Sequence, residues 1–178
     1  MNISEDWKGS TNKERCVAKR LLELEGTPEA IKYFAEKRTD LSDYWYWFLL
    51  GTLWVSYSGH SDLNLWRELF GADRPNRETS LMKPDELREF RAFLERFGVF
   101  RAHRENETDW ISYTCSFACV AKFAAMRENG SVKAYLVDKS DVIAYFTRRG
   151  EGEVLMLNKE NAEFVKEIPT IYQGEACG

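Results

Sequence analysis

A chain of 178 residues with 44% hydrophobic and 30% charged positions is long enough for one domain, or a domain with a helical extension, and too apolar to be disordered throughout. Its net charge of -4 gives no sign of the basic face that general nucleic-acid binding needs. Four cysteines without a CxxC pair and two histidines without ligand spacing argue against a metal site and for reduced, structural thiols.

Met1–Ser10 is polar and acidic, so no signal peptide is expected there. Lys13–Glu25 is rich in helix formers, with Val17, Leu21 and Leu24 on one face, and Gly26 stops it. Thr27 as N-cap and Pro28 at the first helical position start a second helix that runs to about Lys37. Asp40–Ser58 is apolar on nearly every side, with Ser42 or Asp43 as its cap. It is too short and interrupted to span a bilayer, so no membrane partner is expected. Its Trp45, Trp47 and Trp54 suit a docking surface or ligand groove, but core is the commoner fate of such residues.

Gly59–Ser61 reads as a turn, Leu63–Phe70 as a short helix ended by Gly71, and Ala72–Lys83 as a polar loop. Pro84–Glu95 reads as a helix. Past residue 96 the texture becomes β-rich. Phe97–His103, Trp110–Thr114, Val132–Val137, Val142–Phe146 and Glu153–Leu157 read as strands, and Phe117–Arg127 as a helix. The expected organisation is a helical region, 1–95, packed on a second domain, 96–178.

Three motifs lie in the β-rich half. Val99-Phe100-Arg101 ends one strand and is followed by Ala102-His103. Ser112-Tyr113-Thr114 ends another, just before a helix carrying Val120-Ala121-Lys122-Phe123-Ala124. Arg149-Gly150-Glu151-Gly152-Glu153 is a turn with two glutamates that leads into a third strand.

In this order and spacing the motifs resemble the arginine–serine–glutamate class of mono-ADP-ribosyltransferases over roughly residues 97–157. The resemblance implies an α+β chain with a mixed β-sandwich split around an NAD cleft. It implies NAD as substrate and no metal. Glu153 matches the catalytic glutamate, and Glu151 the upstream glutamate that engages an acceptor guanidinium. Arg101 matches the NAD-binding arginine, and Ser112 opens the Ser-Thr-Ser element that Tyr113 and Thr114 complete. Tyr145–Gly150 would be the loop that presents the target. The family's glycine after the motif arginine is replaced here by Ala102, whose backbone would lie near the nicotinamide amide.

The chemistry supports the same residue types. Breaking the nicotinamide–ribose bond builds positive charge on the sugar, which a carboxylate such as Glu153 stabilises. An arginine fork such as Arg101 suits a pyrophosphate. Ser112 can hold the glutamate or a ribose hydroxyl, and Tyr113 or Phe117 can stack on nicotinamide. Each residue has a plainer reading: Arg101 as a solvated strand residue, Glu151 as a turn carboxylate, His103 as a structural imidazole.

The expected function is therefore transfer of ADP-ribose from NAD to a protein side chain, arginine favoured, with nicotinamide released. The acceptor would be a protein of a bacterial host or its defences. Such a transferase suits a phage or prophage effector, or the toxin of a toxin–antitoxin pair, acting in a cytoplasm. The rival readings are an NAD glycohydrolase on the same fold and a non-enzymatic interaction protein that uses the tryptophan-rich helices.

Overall fold

Local capping chemistry explains where the first helices begin. In the computed structural model, which describes residues 3–57, 62–127 and 131–169, helix α1 spans Asn12–Glu23. Thr11 caps it through a capping box: Glu14 N–H donates to Thr11 Oγ1 (3.2 Å), and Thr11 N–H donates to Glu14 Oε2 (2.6 Å). The second oxygen of this buried carboxylate accepts from Ser42 N–H (3.0 Å) and Ser42 Oγ (2.5 Å). Burial pushes the Glu14 pKa up, but the bonds from Ser42 and Thr11 outweigh it and hold it below the usual range.

Helix α2 is Pro28–Lys37. Thr27 stands at its N-cap position, but its hydroxyl turns back and donates to the Leu24 carbonyl (2.7 Å). Ser42 precedes α3, Asp43–Ser56. That helix is buried where an all-round apolar surface requires it: Tyr46, Trp47 and Leu50 are closed off from solvent. The Trp47 indole donates to the Pro75 carbonyl (2.9 Å), and the Trp54 ring packs edge-on against Trp66 (5.0 Å between centroids). Trp47 is thus a core residue, while Trp45 and Trp54 are half-buried.

Helix α4, Leu63–Phe70, ends at Gly71. The stretch expected to be a plain loop contains a five-residue helix, α5 (Arg77–Leu81), started by Asn76 at φ 59°. Its Leu81 explains Gly51 on α3, where an added Cβ would lie 2.9 Å from Leu81 Cδ1 and 3.0 Å from the Leu81 carbonyl oxygen. Helix α6, Pro84–Arg91, ends four residues before the expected Glu95.

The chain divides into two compact units, Met1–Ala92 with Ile143–Arg149, and Phe93–Val142 with Gly150–Gly178. The division falls at Ala92/Phe93, and a segment of the β-rich half is counted with the helices. Most of strand β4 (Val142–Phe146) therefore belongs to the helical unit. Buried Glu86 secures the residues that follow. It accepts from Thr147 N–H (3.0 Å) and from Arg148 Nη2 (3.1 Å), while Arg148 Nη2 also donates to the Leu81 carbonyl (3.0 Å).

The second unit contains β1 (Arg96–Ala102), β2 (Ser112–Thr114), helix α7 (Phe117–Ala125), β3 (Val132–Asp138), β5 (Glu153–Met156) and β6 (Glu163–Ile168). Its strands run antiparallel in the order β5-β2-β1-β3-β6. The chain is therefore α+β. Pairing is continuous between β1 and β3, from Arg96↔Asp138 to Ala102↔Val132, and between β2 and β5. Between β1 and β2, a strand of three residues, it is limited to one register point, Phe100↔Thr114. The strands form one continuous sheet, so the mixed, split sandwich that the resemblance implied is not what the chain builds. Helix α7 lays Val120 and Ala124 over Ala102 and Val132, with Phe100 against them. Strand β6 was not expected from the sequence. Its residues are mostly exposed and its charges break the alternation.

Among the described residues no helix is long and apolar enough to cross a membrane. The turn expected at Gly59–Ser61 and the thiol of Cys177 lie outside the described residues.

Candidate functional site

The period-2 alternation of β1 sends Phe100 and Ala102 toward α7 and leaves Arg101 on the other face. Beyond the strand, Asn106 at φ 59° turns the chain, and the Glu107 amide donates to the Arg104 carbonyl (3.2 Å). This turn brings Glu107 to Arg101. Arg101 Nε and Nη2 donate to the two Glu107 oxygens at 3.0 and 2.7 Å, a side-on bidentate pair. Nη1 reaches neighbouring β2 and donates to the Ser112 carbonyl (2.6 Å) and Ser112 Oγ (3.2 Å). One guanidinium thus links the two strands beside their Phe100↔Thr114 pairing. Of its five N–H groups four are engaged in these bonds, which leaves one on Nη2.

Glu107 is also 3.1 Å from His103 Nδ1, and His103 Nε2 is 2.7 Å from the Tyr135 hydroxyl. Burial would raise the Glu107 pKa, but hydrogen bonds from His103 and Arg101 and the charge of Arg101 outweigh it and hold the carboxyl at about 2. Glu107 is therefore ionised and can only accept, so His103 Nδ1 presents a proton to it while Nε2 meets the Tyr135 hydroxyl. Tyr135 remains a phenol. Burial, reinforced by neighbouring Tyr113, pushes its pKa to about 12. The Trp110 ring closes one side, 4.4 Å from the His103 ring and 5.7 Å from the Arg101 guanidinium.

On β2, Thr114 faces Glu153 in the register with β5, and Ser112 faces Leu155. The Thr114 hydroxyl donates to the Glu151 carbonyl and accepts from Ser116 N–H (2.9 Å), while Cys115 N–H donates to the Gly152 carbonyl (2.8 Å). Gly150 (φ 71°) and Gly152 (φ 56°) flank Glu151 in the left-handed region. The turn therefore needs both glycines to deliver the two glutamates to the start of β5. Glu153 is buried (7% exposed) and Glu151 half-exposed.

Arg101, Ser112 and Glu153 thus stand on three successive strands, β1, β2 and β5. Thr114 secures the glutamate turn. Other expected site residues are placed differently. Ala102 turns its side chain into the α7 cluster, and its carbonyl accepts from Arg127 Nη1. Tyr113 is buried (3% exposed), takes a bond from Trp110 Nε1 (2.8 Å) and packs edge-on against Tyr135, so it has no open ring face. Phe117 is 48% exposed and packs edge-on against Phe100 (5.5 Å between centroids), so of the two aromatic candidates it alone presents a ring to solvent.

The expected target loop, Tyr145–Gly150, is shorter than its sequence suggested. Tyr145 and Phe146 are buried on β4, Thr147 and Arg148 are tied to Glu86, and only Arg149 and Gly150 are exposed.

Glu107, Trp110 and Tyr135 complete the cluster but had no signal of their own. Glu105, Glu107 and Asp109 share one polar stretch, and only the Asn106 turn decides which carboxylate points inward. Cys115 is the thiol nearest to the motifs in sequence, and burial pushes its pKa to about 11, so it is a protonated thiol at neutral pH. Among the described residues no group of three or more His, Cys, Asp or Glu converges as a metal site would require.

Compared with family models, with curated proteins and with solved structures, the chain shows no significant match.

Proposed function

We propose that the chain is a mono-ADP-ribosyltransferase that uses NAD. The observation that carries this reading is that three separately weak motifs fall on the adjacent strands β1, β2 and β5, with Glu153 on the sheet face that Thr114 and Phe100 share and Arg101 on the other. Arg101 on β1 bonds to Ser112 on β2, and Glu153 is paired with Thr114 two residues further along β2. Glu153 is buried and Arg101 is held by Ser112 and Glu107, so neither is a solvated surface group.

In this reading the bond between nicotinamide and C1′ of its ribose breaks, and the electron pair leaves with nicotinamide. Glu153 stabilises the positive charge that develops on the sugar. A guanidinium nitrogen of the acceptor attacks C1′ and loses a proton, and Glu151 orients it. Arg101 supplies positive charge for the pyrophosphate, Ser112 holds a ribose hydroxyl, and Phe117 offers the stacking face.

Incubation with NAD labelled in the adenosine portion, with and without a bacterial lysate, tests the reading. The expected result is nicotinamide release together with label on a lysate protein. Nicotinamide release without labelled protein would make the chain an NAD glycohydrolase. Absence of both would overturn the reading and favour an interaction protein.

A further inference from the structure

The residue assigned to the pyrophosphate has its fork already filled. Nη1 of Arg101 is committed to Ser112, so the edge formed by Nε and Nη2 is the one that can receive two oxygens side by side, and Glu107 occupies it. We propose that Glu107 is a resident stand-in for the ligand's phosphate: a pyrophosphate takes the Nε/Nη2 edge of Arg101 by exchanging with this carboxylate, which makes Glu107 the residue that sets affinity for phosphate-bearing ligands. The inference rests on the NAD reading for the choice of ligand, and on the geometry alone for the exchange.

Carboxylate and phosphate present the same paired acceptors to a guanidinium edge, so each fits where the other does. They cannot share it, because two anions on one edge repel at contact distance. The displaced carboxylate would keep one of its partners. His103 Nδ1 already touches Glu107 Oε2 at 3.1 Å. Glu107 can therefore leave the guanidinium while keeping the imidazole as partner. It sits on the connection between β1 and β2 rather than on either strand, so a shift there breaks no sheet pairing. The bond from Arg101 to Ser112 uses the opposite edge and survives the exchange. The strands stay bridged whichever anion is bound.

Calorimetric titration with ADP-ribose tests this, since ADP-ribose carries the pyrophosphate but no nicotinamide to lose. Glu107→Gln keeps the size of the side chain and removes its charge. Its Kd for ADP-ribose is expected to fall about tenfold, or about 1.4 kcal/mol, while the Kd for adenosine, which has no phosphate, stays unchanged. Unchanged or weaker ADP-ribose binding by a variant that melts cooperatively overturns the proposal, as does equal tightening toward adenosine. If Glu107→Gln does not fold, Glu107→Asp decides. It keeps the charge but shortens the reach to the fork, so it should tighten ADP-ribose binding by a smaller factor, and no change overturns the proposal. Failure of both the parent and the variants to bind ADP-ribose also overturns it. Nicotinamide release from NAD is scored separately. A chain that shows the exchange but never releases nicotinamide loses the transferase reading and keeps this one.

Discussion

The Thr114 hydroxyl donates to the Glu151 carbonyl while accepting from Ser116 N–H, so one side chain ties the end of β2 to the turn that carries both motif glutamates. Thr114→Val keeps the shape and removes both bonds. It leaves the Glu151 carbonyl and the Ser116 amide without this partner, at a cost that reaches about 1–3 kcal/mol each only where water does not replace it. Melting temperature should fall, and NAD cleavage should fall further than the loss of folded protein explains. Cleavage per folded molecule equal to that of the parent would show that the turn holds its place without Thr114.

Glu153→Gln should abolish both transfer and NAD hydrolysis while leaving the fold intact. In the proposed reaction this carboxylate is the group that meets the developing positive charge. By analogy with the loss of one oxyanion donor, neutralising it should cost about 2.7–4 kcal/mol of transition-state stabilisation, or roughly 10²–10³ in rate. Nicotinamide release, measured beside a thermal melt, checks it. Activity near that of the parent removes Glu153 from the chemistry.

Glu151→Gln should separate the two activities. Gly150 and Gly152 set the backbone of Glu151, and its carbonyl, not its carboxylate, bonds to Thr114. The turn should therefore survive the substitution. Transfer to protein should collapse because the acceptor guanidinium loses its paired acceptor, while slow hydrolysis of NAD by water persists. Nicotinamide release and ADP-ribosylated protein are measured side by side. Equal loss of both would place Glu151 in NAD binding instead.

Glu107 should make the protein sensitive to acid. Its pKa is depressed in the fold to about 2. The stability it contributes is therefore present above the ordinary carboxylate value of about 4.5 and is lost as pH falls from there toward about 2. The contribution is of the order of a few kcal/mol, because each tenfold change in proton affinity is worth about 1.4 kcal/mol. Urea melts of parent and Glu107→Gln from pH 7 to pH 2.5 should differ most at neutral pH, with the parent the more stable, and should converge in acid. A difference independent of pH would mean that Glu107 is not held ionised by Arg101 and His103.

A chain beginning at Phe93 should be molten or aggregated. It keeps Ala144, Tyr145 and Phe146, which are buried, and deletes residues they are buried with. Gly51 lies beside Phe146, and Glu86 holds Thr147 and Arg148. Those apolar groups would be left bare. A cooperative melt from this fragment would show that Ile143–Arg149 folds without the helices.

The sequence determined the elements whose signals are local. Pro28, Pro84 and Gly71 stand at the helix boundaries their chemistry predicts, because a cap or a stop acts within three or four residues. The period of two in β1 and β3, and the unbroken apolar surface of α3, gave strand and buried helix by the same local logic. The motif residues were legible as residue types on strands. What only the tertiary structure decided depends on partners distant in sequence. Helix α5 forms inside a polar stretch because Leu81 fits against Gly51. Strand β6 forms on charged residues because β3 has an open edge to pair with. Ile143–Arg149 sides with the helices because Glu86 receives it. Arg101 was readable as a fork for an anion. That Glu107 fills that fork was not, because the turn at Asn106 and the cluster of His103, Trp110 and Tyr135 select one carboxylate among several neighbours. Such a choice is made by burial and by the accounting of buried donors and acceptors, and no run of adjacent residues encodes it.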